Sequence, residues 1–81
     1  MEPRTTEKLA QDYSAMGDSV VLITDVIAGN SMADEDAAER QGCVDRNTQH
    51  LELMVAKEDW GSESMTATNA AISAGNGYTA S

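Results

Sequence analysis

Leu9, Tyr13, Met16, Val20, Ile23 and Ile27 recur at steps of 4, 3, 4, 3 and 4. That spacing is a heptad seam, and it commits the first third of the chain to a helix with one face buried against a neighbour. Val20–Ile27 is β-branched enough for a strand, yet the seam runs straight through it. Thr5 or Thr6 supplies a hydroxyl for the helix N-terminus, after an extended lead-in of Glu2, Pro3 and Arg4. Gly17 lies mid-helix, where it permits a close neighbour at about 1 kcal/mol relative to Ala. Gly29 is a left-handed stop.

Asn30 or Ser31 then offers a cap for a second helix, expected over about 32–58. Asp34, Glu35 and Asp36 crowd its first turns, where the helix dipole favours acids. A calcium loop would need spaced acids, a central Gly and a closing Glu, which this run does not have. Ala37, Val44, Leu51 and Glu58 repeat at sevens, with Asn47 and Met54 between them. Gly42 invites a bend. Trp60-Gly61 is the next break, and Ser62 or Ser64 can cap a third helix expected over about 62–74. Residues 75–81 read as a tail, free or anchored through Tyr78. The fold class is therefore all-α: an antiparallel hairpin, a short third helix, and one domain of 81 residues.

The apolar stock is thin, with no Phe, one Trp and two Tyr. A chain of this size buries only about 60–65% of its unfolded surface, so self-association or docking would supply missing burial. The expected interface residues are Leu9, Tyr13, Met16, Val20, Ile23, Ile27, Val44, Asn47, Leu51, Met54 and Trp60. Asn47 on a seam is a candidate for fixing register and oligomeric state, or simply lies at the stripe's edge. Trp60 is a corner plug or an exposed hot spot. Arg46 and His50, four apart, form a recognition spot or ordinary helix surface.

The formal charge of −9 repels phosphate backbones and disfavours direct nucleic-acid binding. The longest strongly apolar run, Val20–Ile23, is far short of a membrane span. One Cys and no apolar leader fit a cytoplasmic protein.

Catalytic and cofactor chemistry finds no motif. Cys43 and His50 share a helix face but lie about 10 Å apart on a straight helix, too far for a nucleophile and its base. Two potential Cys/His ligands do not make a zinc site, and Asn47 stands where a di-iron bundle would need Glu. No enzyme activity, metal or cofactor is expected.

The pattern Arg46-Asn47-x-x-His50-Leu51-Glu52-x-Met54-x-Ala56-Lys57-x-Asp59-Trp60, followed by Met65-Thr66-x-x-Asn69-Ala70-Ala71-Ile72-x-Ala74-Gly75, resembles small uncharacterised proteins of tailed phages infecting marine cyanobacteria. The resemblance covers the chain from Arg46 onward. It implies a viral origin, with a place in the virion or a host target, and brings no catalytic residues. Two functions follow as expectations. One is an acidic helical interaction or assembly module, joining a homo-oligomer or another protein. The other is an acidic host-directed inhibitor occupying a basic, nucleic-acid-binding surface.

Overall fold

The computed structural model describes residues 4–81. They form three helices, α1 (Thr6–Ala28), α2 (Ala37–Val55) and α3 (Thr66–Asn76), with no strand among the described residues. Of the extended lead-in, Glu2 and Pro3 lie outside the described residues.

Both ends of α1 are locally encoded. Thr5 accepts from the Lys8 amide through its hydroxyl at 3.1 Å, satisfying an orphan N–H of the first turn. At the other end Gly29 is left-handed (φ 81°, ψ 14°). Its amide donates to the Val26 carbonyl and that of Asn30 to Asp25, closing the paired Schellman bonds.

The second helix is shorter than the expected 32–58 at both ends. Met32 adopts φ 58°, a left-handed conformation that no helix accommodates, so Asn30–Glu35 turn instead. Asp36 is the cap, its carboxylate accepting from the Glu39 amide at 2.8 Å. The expected Asn30 or Ser31 does not cap, and Asp34 and Glu35 precede the helix. At the C-terminus the Trp60 indole N–H donates to the Met54 carbonyl at 2.8 Å. That bond satisfies a terminal carbonyl and draws residues 56–60 off the helix axis. Glu58 leaves the seam and is exposed.

The third helix is displaced from 62–74 to Thr66–Asn76. Ser64 lies one residue before the cap position, where its hydroxyl accepts from the Thr66 amide at 3.4 Å, while its carbonyl accepts from the Tyr13 hydroxyl at 2.9 Å and holds the loop against α1. Met65 occupies the cap position without a side-chain bond and packs on the core. Gly75 does not terminate the helix. It is buried inside it, where α3 meets Thr48.

Helices α1 and α2 run antiparallel. Arg4 and Asp12 lie beside Asp59, Ser19 bonds His50, and Val26 and Ile27 share a cleft with Arg40. The third helix packs on both. Met16, Ile23, Val44 and Leu51 are fully buried between them, joined by Val26, Cys43, Trp60 and Ala71. Each large aliphatic side chain removed from water contributes about 1.5–3 kcal/mol, so this small set holds the bundle.

Residues 77–81 are tied down. Gln41 donates to the Tyr78 carbonyl at 3.1 Å and accepts from the Ala80 amide at 2.8 Å. Arg40 donates to the Ser81 carbonyl at 2.6 Å. Tyr78 packs partly buried on the core, so the tail is anchored rather than free.

Candidate functional site

Helix α1 has three faces, and about 100° per residue separates them cleanly. Asp12, Met16, Ser19, Ile23 and Val26 face inward and are buried. Glu7, Gln11, Asp18 and Asp25 hold a polar edge. The third face carries no charge along its whole length: Ala10, Ser14, Gly17, Val21, Thr24 and Ala28 are all exposed on it. Thr24 turns its hydroxyl back to the Val20 carbonyl at 2.8 Å, leaving its methyl group outward. Val21 is 59% exposed and Ile27 38%, the two large apolar side chains of α1 left most open to water.

The buried face is therefore rotated by part of a turn from the heptad seam. Met16 and Ile23 are in the core. Leu9, Tyr13 and Val20 pack against its margin half-buried, and Ile27 is exposed. Of the α2 residues named with them, Val44 and Leu51 are fully buried and Met54 is half-buried against the core. Asn47 is also half-buried, and its amide donates to the Cys43 carbonyl of its own helix at 2.8 Å. Thr48 takes the buried place next to it.

At the N-terminal end the outer face opens into a groove of about 350 Å³ lined by Leu9, Ala10, Tyr13, Ser14 and Trp60, with Thr6 and Glu63 at its margin. Trp60 is 8% exposed, a corner plug whose edge forms the groove wall. The Tyr13 and Trp60 rings lie 6.0 Å apart at a tilt of 58°. The Arg4 guanidinium sits over the Trp60 ring, 4.2 Å from its centroid. It also pairs with Asp59 and, at 2.8 Å, with Asp12. Lys8 reaches the other Asp12 oxygen at 3.0 Å. Hydrogen bonding to Arg4 holds the Asp59 carboxyl down to about 2 and lowers that of Asp12 as well; the Arg4 guanidinium is raised by the same bonds. This cluster fixes Arg4 and the α2–α3 connection onto α1, and so shapes the groove.

The structure does bring a hydroxyl to His50, but from another helix. Ser19 Oγ lies 2.8 Å from His50 Nδ1. A nucleophile and base need that distance. Ser19 is 6% exposed and lines neither of these two grooves. The pair ties α1 to α2. Sequence reasoning weighed His50 only against Cys43 on its own helix; Ser19, in the middle of an apolar run, gave no local signal.

Among the described residues, no group of three or more His, Cys, Asp or Glu side chains is placed to hold a metal ion. No helix among them is long and apolar enough to cross a membrane. The chain matches no family model, no curated protein and no solved structure.

Proposed function

We propose that the protein is a non-enzymatic interaction or assembly module whose working surface is the outer face of α1 with the Tyr13–Trp60 groove. One observation carries this reading. In a chain of charge −9, a whole helix face is left free of charge, with Val21 exposed at its middle. A soluble domain disperses charge over such a face unless something covers it. Its acidic remainder repels nucleic acid and anionic lipid, which leaves protein as the partner class and the cytoplasm as a fitting location. The phage-protein resemblance of the segment from Arg46 onward suits a virion-associated or host-directed role.

Particle size in concentrated extract of the producing cells tests the reading. The wild-type chain is expected to elute well above the size of one 8.6 kDa chain, and Val21→Asp to fall back toward it. Elution of both as the lone chain would sink the proposal.

A second reading, an inhibitor that covers a basic nucleic-acid-binding surface, draws on Asp34, Glu35, Asp36 and Glu39. All four are exposed at the α1–α2 turn, and none is ion-paired among the described residues. It predicts salt-sensitive binding to a basic protein, unchanged by Val21→Asp.

A further inference from the structure

We infer that the cleft between the end of α1 and the start of α2 is a docking site for an extended, basic segment of another protein, and that residues 78–81 occupy it until that segment binds. The site lies apart from the outer face of α1, so the inference goes beyond the assembly reading.

Residues 78–81 sit on α2 as a bound peptide sits on its receptor. Tyr78 and Ala80 are half-buried while Thr79 and Ser81 are exposed, the alternation of an extended chain. The Gln41 amide donates to the Tyr78 carbonyl at 3.1 Å and accepts from the Ala80 amide at 2.8 Å. Those are the two groups that an extended chain offers on one side to a neighbouring strand. Asp45 accepts from the same Gln41 nitrogen at 3.0 Å and fixes which way the amide points. Arg40 donates to the Ser81 carbonyl and, at 3.4 Å, to the Tyr78 hydroxyl. The bonds from Gln41 and the first from Arg40 go to main-chain groups, which any sequence carries; the last reads a tyrosine. Main-chain bonds with places for alternate side chains are how a groove holds an extended segment of a partner.

Residues 78–81 fill the site incompletely. A cleft of about 360 Å³ stays open beside them, bounded by Val26, Ile27 and Ala33 from the α1 side and by Thr79 from the segment itself. A leucine at the place of Thr79 would carry apolar surface into that space. None of the fully buried core side chains belongs to residues 78–81, so the segment can leave with the bundle intact.

Charge specifies the rest of the ligand. Asp34, Glu35 and Asp36 lie in the turn between Ala33 and Arg40, both of which line the cleft, and with Glu39 they are exposed. No residue after Glu63 is charged, so the resident segment leaves these acids unanswered. Four carboxylates outnumber the single Arg40 guanidinium, so Lys or Arg flanking an incoming segment gains an attraction that residues 78–81 do not have.

Fluorescence anisotropy of a labelled peptide, Lys-Arg-Gly-Tyr-Leu-Ala-Ser-Lys-Lys, titrated with the full chain tests this, with circular dichroism melting as the folding control. Saturable binding below about 1 mM is expected, weakening as salt is added. Ala80→Pro removes the amide that bonds Gln41, so the resident segment competes less and the peptide should bind about fivefold tighter. Proline in place of the peptide's own alanine removes the same amide from the ligand and should weaken binding by about as much. In the Ala80→Pro chain, Gln41→Ala should weaken binding about tenfold. Absence of saturable binding to either chain overturns the inference. So does binding that the two prolines do not move in opposite directions, that Gln41→Ala leaves unchanged, or that a peptide with Ser for every Lys and Arg matches. Val21→Asp should leave this binding as it is while it collapses the particle expected of the assembly reading, so each proposal can fail alone.

Discussion

Thr48 and Gly75 meet at the crossing of α2 and α3, where Thr48 Oγ1 lies 1.9 Å from the place a Cβ on Gly75 would occupy. The hydroxyl is buried with no hydrogen-bond partner among the described residues and faces the Gly75 Cα–H, a weak polar contact in place of a hydrogen bond. Any side chain at Gly75 must push the helices apart. Gly75→Ala is expected to destabilise the fold by about 1–3 kcal/mol, as overpacking does, despite the better helix propensity of Ala. Thr48→Ala opens the space and should rescue it. A double-mutant cycle by denaturant unfolding checks this, with a coupling of about 0.5–3 kcal/mol expected between the two sites. Additive effects would mean the helices are not in register at this contact.

That crossing also marks a limit of local reading. Gly75, read as a helix stop, is instead a point of close approach, and nothing in residues 74–77 distinguishes the two uses. Gly29 was legible because its requirement, a left-handed residue after the last apolar position, is local. The same division explains α1. The heptad spacing revealed a helix with an inward face, but the face is centred on Asp12 and Ser19 rather than on Tyr13 and Val20. Those polar residues are buried because Arg4, Lys8 and His50 meet them, and two of the three contacts bridge separate elements or turns. The i,i+4 pair Lys8–Asp12 was the one local sign. Likewise the uncharged outer face was present in the sequence, but only the position of the core shows that it is left uncovered.

The Arg4 cluster predicts a pH response. Asp59 titrates at about 2 in the fold and Asp12 is also lowered, whereas both lie near 3.9 when unfolded. Between those values the unfolded chain binds more protons, so stability rises with pH there. The contribution is complete above about pH 5 and is lost as pH falls toward 2. Arg4→Gln removes the common partner, so the variant should melt lower at neutral pH. Its melting temperature should also fall less than that of the wild type between pH 5 and 2. Parallel melting curves for the two proteins would count against the cluster.

The tail contacts predict local protection. Gln41→Ala removes both bonds to residues 78–80 and leaves the core untouched. Hydrogen exchange at the Ala80 amide should become fast while amides in α1 and α2 keep their rates. Unchanged exchange at Ala80 would show that the tail is held by Arg40 and Tyr78 packing instead.

Leu51 and Leu53 stand two residues apart on α2 with opposite surroundings. Leu51 is fully buried between α1 and α3, and Leu53 is 64% exposed. Two residues turn the helix by about 200°, so one leucine faces the core and the other faces water. Leu51→Ala leaves a cavity that backbone relaxation only partly closes, at a cost of about 2–5 kcal/mol. A domain of this size has roughly 5 kcal/mol of total stability, so a large share of Leu51→Ala molecules should be unfolded near body temperature. Leu53→Ala exchanges one exposed apolar side chain for another and should stay within about 0.5 kcal/mol of wild type. Urea unfolding of both variants, followed by circular dichroism at the helical band, compares them directly. Equal losses would contradict the helix orientation. A large loss at Leu53 alone, growing with protein concentration, would instead place Leu53 in a contact between copies and shift the assembly surface from α1 to α2.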